Sequence, residues 1–450
     1  MAQSQEISWT NKSVLKLAKG NDPIAVIEKR ARDLALRAHD AGWKGPPYDP
    51  IAIADLLKIP VEANASVADA RIVARHHQLT IQYNPTQART RVRFSIAHEI
   101  AHTLFPDVAE EVRNRGGSRS VSDDWQLEVL CNIAAAEFIM PMGSMHPTEK
   151  LSSIEEMVIQ RKRFDVSVEA FLIRAIKMTS ESAAMFCASA VQTDADVTQY
   201  RVDYTIPSKT APDLPIRGRL IPRDSVVYSC TAIGYTDKKT ENWFSHERVS
   251  VECVGIPTFF GSNVPRVAGV VRFSKDTRLD PLKFVHGNVL DPRGSSNKVV
   301  CQLVNDQARV WGGGVAKSAG QKFPEAQRKF SEWIAGLPRS QRLGSVHFAP
   351  VNDSLTIASL VGQEGFGAAT APRIRYAALE KCFEKVSEFA GRKSATVHMP
   401  RLGAGQSGGQ WETVEEMVRS TFIPDHISVT IYDLPPKRGT PPGPFDESRQ

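Results

Sequence analysis

Apolar residues recur every three or four positions from Pro23 to Trp43, a period that predicts one amphipathic helix, and a second short helix is predicted over 51–58. The pattern then shortens to extended runs at Val61–Ala63, Ala70–Arg75 and Leu79–Tyr83, which read as strands. Helical spacing returns after Arg91, where Phe94, Ala97, Ala101 and Leu104 would bury one stripe before Pro106 ends the helix. The run from Asp123 to Pro141 opens with acids, stays helix-compatible and stops at proline, and residues 151–190 are read as further helices.

From Tyr200 to about Pro265 the chain is rich in Val, Thr, Tyr and Ser with isolated Pro and Gly, and short strands are predicted at Ser225–Ile233 and Val249–Val254. From about 266, strand, glycine loop, helix and strand alternate, the pattern of an open α/β sheet. Val299–Asn305 reads as a buried strand, followed by Trp311–Ala316 and a helix toward Ile334. Ala395–Met399 is a second such strand, leading through Pro400–Trp411 into another helix. At 450 residues the chain exceeds one ordinary core. The expected division is an α+β domain at 1–190, a β-rich connector at 191–265, a three-layer α/β/α domain at 266–436 and a flexible Pro-rich tail at 437–450.

Composition adds few constraints. Hydrophobic residues at 42% and charged residues at 24% fit a globular protein. The first residues, Met-Ala-Gln-Ser-Gln-Glu, lack a signal pattern, and no run approaches the roughly 18 apolar residues of a membrane span, so a cytoplasmic protein without a membrane partner is expected. Six scattered cysteines without a C-x-x-C pair argue against a disulfide framework and against a zinc ribbon. The net charge of +6 is spread over the chain, with short clusters at Arg89, Arg91, Arg93 and at Arg161, Lys162, Arg163. It reads as solvated surface, and nucleic acid is not an expected partner.

The chemistry concentrates in two places. Residues 98–102 read His-Glu-Ile-Ala-His. On a helix, positions i and i+4 share a face, so His98 and His102 can reach one metal ion while Glu99 stands beside them as a candidate general base. A catalytic zinc takes three protein ligands and leaves one position to water, so a third donor is expected nearby. Glu128, mid-helix among apolar neighbours, is the favoured candidate, and Glu137 competes with it.

The second place is the pair of glycine-rich segments between strand and helix. There, backbone N–H groups approach phosphate oxygens without Cβ obstruction, and the helix dipole favours an anion. Two such loops suit a diphosphate. Neither fits G-x-x-x-x-G-K-[ST], and no G-x-G-x-x-G with its acidic residue occurs, which argues against a kinase or dehydrogenase.

The stretches RFSIAHEIAHTLF and LEVLCNIAAAEFIMP resemble the ImmA/IrrE family of bacterial zinc metallopeptidases, whose segments read R-F-T-x-A-H-E-x-G-H and E-x-x-A-N-x-F-A-A-x-L-L-M-P. The resemblance implies a zincin-like fold with His98, His102 and Glu128 as zinc ligands and Glu99 as general base. Ala101 replaces a frequent Gly, and Cys131 a frequent Ala.

FVHGNVLDP, VNDQARVWGGGVA, LVGQEGFG and HMPRLGAGQSGGQW together resemble a macrodomain, the ADP-ribose-binding α/β module. In the H-x-P-R-x-G loop the likeness is to the macrodomain of poly-ADP-ribose-activated chromatin remodellers. The resemblance implies a first phosphate loop at Gly312, Gly313, Gly314, Val315 and Ala316, and a second at Gly403, Ala404, Gly405, Gln406, Ser407 and Gly408. The adenine-contacting position falls on Asn288, where macrodomains usually carry Asp. Glycohydrolase relatives of this subgroup use a Lys and an Asp whose positions fall within Leu360–Gln363 and at Ser407, so binding without that hydrolysis is expected.

Together the two resemblances imply a zinc endopeptidase controlled or targeted by an ADP-ribose-type, NAD-derived ligand or by an ADP-ribosylated protein, in bacterial stress or antiphage response. The alternatives are a non-proteolytic ADP-ribose-sensing regulator and an ADP-ribosyl hydrolase.

Overall fold

The computed structural model describes residues 9–75, 78–108, 124–148, 150–192, 198–212, 216, 218–243, 246–258, 264–273, 282–294, 297–367, 372–405 and 407–433. The chain forms two compact units, Met1–Arg278 and Leu279–Gln450.

The first unit opens with helices Lys12–Ala18 and Pro23–Asp40. Asp22 caps the second by accepting from the Ile24 and Ala25 N–H groups, and Pro23 occupies its first turn, where a missing N–H costs nothing. Ile27, Ala31, Leu34 and Ala38 form its buried stripe. After the short helix Ile51–Leu56 comes a three-stranded sheet in which Gln78–Tyr83 is central, parallel to Val61–Ala63 and antiparallel to Ala70–Arg75. Helices Arg89–His102 and Asp124–Ile139 pack against each other and share the core with the Pro23–Asp40 helix. Arg93 is buried in this core, where its guanidinium donates to the Tyr48, Phe164 and Asp165 carbonyls.

Residues 151–190 differ from the expected run of helices. Helices Ile154–Phe164 and Val168–Met178 are followed by a strand, Ala183–Gln192. That strand belongs to a five-stranded antiparallel sheet, beside Thr198–Pro207 on one side and Arg266–Arg272 on the other, and His246–Ile256 and Thr236–Trp243 complete it. Both faces of the sheet are covered. Met185, Cys187, Val254, Ile256, Ala268 and Val270 join the core of the helices, whereas Ala184, Phe186, Ala188, Val251, Cys253 and Val267 form a second core. A strand buried on both sides shows no polar alternation, so its sequence resembles a buried helix.

Two further expectations change. The sequence pattern begins the C-terminal domain at 266, but Arg266–Arg272 pairs within the five-stranded sheet of the first unit, whose boundary falls after Arg278. The β-rich segment therefore shares a core with the N-terminal helices. Within Ser225–Ile233 the chain forms a 3-10 turn, Val226–Ser229, in place of a strand. The Glu241 carboxylate accepts from Ser225 Oγ and the Val226 N–H, and these local bonds replace a strand ladder.

The second unit is built on a six-stranded sheet in the order Val346–Asn352, Leu355–Gln363, Asn297–Asn305, Ala395–Pro400, Val429–Asp433, Leu282–His286. All neighbours are parallel except the Val346–Asn352 hairpin strand. Helices Gly314–Lys322 and Pro324–Ala335 contribute Ala319, Phe330 and Ile334 to a core with Val300, Ile357 and Val361. Helix Tyr376–Lys393 packs on the sheet and on helix Trp411–Phe422, giving a three-layer arrangement. The expected single helix toward Ile334 is two, parted at Phe323, whose φ of −133° and ψ of 67° break the helix before Pro324.

Candidate metal centre and glycine-loop edge

His98 and His102 sit in the last turns of the Arg89–His102 helix, with ring centroids 5.1 Å apart. Opposite them the Asp124–Ile139 helix presents Glu128, Cys131 and Asn132, positions i, i+3 and i+4 on one face. Glu128 Oε2 lies 2.9 Å from His98 Nε2, and Oε1 lies 3.9 Å from His102 Nε2. On the far edges of the rings, Asn132 Oδ1 is 2.9 Å from His98 Nδ1 and Cys131 Sγ is 3.5 Å from His102 Nδ1. An amide oxygen only accepts, so His98 donates from Nδ1 and its Nε2 is left for the Glu128 side.

Two donor sets compete. The ligating atoms of His98, His102 and Cys131 lie within 4.8 Å of one another and form one possible metal group. The thiol, however, meets the Nδ1 edge of His102, whereas Glu128 faces the Nε2 atoms of both rings. The two nitrogens of one imidazole point away from each other, so Cys131 and Glu128 serve different edges of His102. A borderline cation such as zinc accepts two imidazoles with a carboxylate and keeps a further position open. The Nε2, Nε2, carboxylate set could hold a zinc ion and leave a position open, while Cys131 touches the other edge of His102.

Burial alone would pull the His98 imidazole down. The Glu128 hydrogen bond and charge, the Glu99 charge and the Asn132 bond outweigh it and hold His98 above its ordinary value. Glu99 is buried, and its Oε2 accepts from the Ile72 N–H at 2.7 Å, so the Ala70–Arg75 strand fixes the carboxylate next to the histidines. Glu128 is half-exposed, with side-chain accessibility of 48%, unlike the apolar surroundings that its sequence neighbours imply. Glu137 stands elsewhere: its Oε1 accepts from the Met142 N–H at 2.8 Å, and Oε2 is 4.0 Å from Arg174. Cys131 and Asn132 were not among the expected site residues, although their spacing from Glu128 places them on its helical face.

In the second unit, parallel pairing gathers the motifs. Gly312–Gly314 follows the strand Asn297–Asn305, Gly403–Gly408 follows its neighbour Ala395–Pro400, and Asn288 follows Leu282–His286, so all lie at the C-terminal edge of one sheet. Gly313 is the N-cap of helix Gly314–Lys322; Val315 and Ala316 lie in that helix's first turn. Glycines 312, 313 and 314, Ala404, Gly405 and Gly408 are exposed, while Gly403 and Ser407 are buried. Gln406 lies outside the described residues. Exposed Asn288 turns its Oδ1 to the Leu290 N–H at 3.0 Å, a local turn bond.

The Gln363 and Ser407 positions come together: Ser407 Oγ donates to Gln363 Oε1 at 2.6 Å, and Gln363 Nε2 donates to Gly365 O. The Ser407 carbonyl accepts from the Arg373 N–H, and buried Asp306 accepts from the Gly365 N–H and from Arg339. These bonds tie three strand-end loops to one another. Behind them, Arg401 pairs with both oxygens of Asp433 and lies over the rings of Phe284 and Trp411.

No helix among the described residues is long and apolar enough to cross a membrane. Residues 58–175 match the model of the Peptidase_M78 family, the IrrE N-terminal-like domain. About a third of the chain is similar to chromodomain-helicase-DNA-binding protein 1-like, being 27% identical over 167 residues in Danio rerio and 30% over 162 residues in Mus musculus. The match covers 35% and 34% of this chain but spans only 16% and 18% of those two relatives. A macrodomain protein structure from Streptomyces coelicolor is 27% identical, with 34% of this chain and 99% of that one covered and a TM-score of 0.30. Residues 58–175 thus match the model of the IrrE N-terminal-like domain, and about a third of the chain is similar to a macrodomain protein.

Proposed function

We propose that the protein is a zinc-dependent endopeptidase controlled or targeted by an ADP-ribose-type ligand. The observation that carries the reading is the approach of one carboxylate, Glu128, to the Nε2 atoms of both histidines of the His98-Glu-Ile-Ala-His102 segment. A bound zinc supplies Lewis acidity, which polarises a peptide carbonyl and lowers the pKa of water. His98, His102 and Glu128 would hold it. Glu99, fixed by the Ile72 N–H, takes the proton from the attacking water and returns it to the leaving amine. Replacing Glu99 by Gln keeps the side chain's shape and removes its basicity. Cleavage is expected to fall by 10²-fold or more while zinc stoichiometry stays the same. Equal cleavage by Glu99→Gln and wild type would remove Glu99 from this role.

For the ligand, Gly312 and Gly405 support the reading. Neither has a left-handed backbone, and a Cβ at either would meet nothing within 4 Å. Nothing in the fold asks for glycine there, whereas a diphosphate approaching the backbone does. The Gln363–Ser407 pair offers an amide and a hydroxyl, with neither amine nor carboxylate, which favours binding over glycosyl hydrolysis. Asn288 follows the strand Leu282–His286 at the same sheet edge, and we assign it the adenine contact. We assign the cellular setting to bacterial stress or antiphage response and the location to the cytoplasm. Titrating free ADP-ribose into a cleavage assay separates the two modes. Faster cleavage marks gating by a free ligand, and competition marks docking of ADP-ribosylated protein. If neither zinc nor Glu99 is needed for the biological effect, the regulator without protease activity becomes the better reading.

A further inference from the structure

Away from the candidate metal centre, the five-stranded sheet of the first unit brings two thiols together. Cys253 lies on strand His246–Ile256 and faces the same core as Val249 and Val251. Cys230 closes the Val226–Ser229 turn. Although 23 positions apart in sequence, their Sγ atoms are 3.3 Å apart, and the residues are 1% and 0% exposed.

The approach is built into the backbone. At Gly255, two residues beyond Cys253, a Cβ would lie 2.1 Å from the Ala232 carbonyl oxygen and 3.4 Å from that of Cys230. Only glycine lets the 230–232 segment lie this close to the strand. Gly234 N–H donates to Gly255 O, and Gly255 N–H donates to Tyr235 O, so the segment is fastened on both sides. Cys230 also adjoins surface: Thr231 is exposed, and Ile233 and Tyr235 are 62% and 60% exposed. The 230–235 segment is thus the side from which a small oxidant would reach Cys230.

We propose that Cys230 and Cys253 form an oxidation site that closes to an intramolecular disulfide with a hydroperoxide and reopens with a dithiol. Closing the sulfurs to the roughly 2.05 Å of a disulfide needs a movement of little more than an ångström, and Cys230 can supply it by turning on its loop. In the first step the Cys230 thiolate attacks one oxygen of hydrogen peroxide. The O–O bond breaks, the sulfur becomes a sulfenic acid, and the released hydroxide takes up the proton given up earlier when the Cys230 thiol ionised and leaves as water. In the second step Cys253 sulfur attacks the Cys230 sulfur. The S–O bond breaks, and the hydroxide departs as water with the Cys253 proton. Two thiols and one peroxide give one disulfide and two waters.

The order follows from the contact: the Cys253 thiol facing Cys230 eases loss of the Cys230 proton against the opposing effect of burial, whereas the same contact and burial push Cys253 up. The product ties the 3-10 turn to the strand.

The test is peptide mapping of the full chain after hydrogen peroxide, with remaining thiols alkylated under denaturing conditions. The expected result is a mass loss of two hydrogens, one cross-linked peptide pair containing Cys230 and Cys253, reversal by dithiothreitol, and a rise in Tm of about 5 °C. Cys230→Ser is expected to abolish the cross-link. Full alkylation of both thiols after peroxide, or cross-links through other cysteines instead, would overturn the proposal. The mapping needs only the wild-type chain, so it stands even where a variant folds poorly.

Discussion

Glu128 and His98 meet across two helices, with Oε2 and Nε2 2.9 Å apart, while Glu137, nine positions further along the same helix, faces Met142 and Arg174. Glu128→Ala is expected to abolish stoichiometric zinc binding with little loss of stability, because its side chain is half-exposed. Glu137→Ala is expected to keep zinc and lower stability by about 1–2 kcal/mol, since it strands the Met142 N–H. Metal analysis and urea unfolding of the two variants check the pair, and the opposite pattern would exchange their roles.

Cys131 and Asn132 each touch the Nδ1 edge of a different histidine. An orienting contact of this kind is worth about 10-fold or more in metal affinity. Cys131→Ala is expected to weaken zinc about that much, with Cys131→Ser in between, as measured by chelator competition. Cobalt substitution adds a second readout. A thiolate charge-transfer band in the near ultraviolet would mean that Cys131 is a ligand; its absence is expected.

Stability should fall in acid through half-buried His39 in the first unit and buried His398 in the second. Burial lowers both His39 and His398 from the usual 6.5 to about 4; a hydrogen bond from the His39 ring to the Trp43 backbone opposes the shift at His39, and the Lys298 charge adds to it at His398. The unfolded chain takes up these protons near pH 6.5, the folded chain only near pH 4. Between those values unfolding gains protons, so the stability present above pH 6.5 is progressively lost as pH drops toward 4, by at most about 3 kcal/mol per histidine. His398 sits between Thr396 Oγ1 and Tyr432 OH. His398→Gln is expected to flatten the pH dependence of unfolding for the second unit; an unchanged slope would assign the effect elsewhere.

Gly403 and Gly405 share a loop but not a constraint. Gly403 has φ of +75°, and a Cβ there would come 2.3 Å from Ile374 Cδ1, whereas Gly405 has open space. Gly403→Ala is expected to destabilise the second unit by about 1–3 kcal/mol. Gly405→Ala is expected to leave the melting temperature unchanged and weaken ADP-ribose binding, which calorimetry measures. Unchanged affinity would remove the loop from the ligand site.

Local patterns were legible where local forces decide. The period of the 23–40 helix, the strands at 61–63, 70–75 and 78–83, and the strand–glycine–helix units of the second half follow from which residues are apolar and where glycine and proline fall. The His98-Glu-Ile-Ala-His102 segment needed only helical spacing. Pattern and structure part at Ala183–Gln192, where burial on both faces erased the alternation, and at Val226–Ser229, where Glu241 bonds override strand propensity. They part also at Arg266–Arg272, whose partners lie in the preceding sheet.

The sequence by itself determined the chemical inventory: two imidazoles and a carboxylate on one helix, and two glycine loops between strands and helices. Only the tertiary structure set Glu128 rather than Glu137 beside the histidines, put Cys131 and Asn132 on their rings, and brought Gln363 to Ser407 and Cys230 to Cys253. Helical and strand periods are properties of neighbours along the chain. A contact between residues 23 or more positions apart depends on how whole elements pack, and no local spacing encodes that.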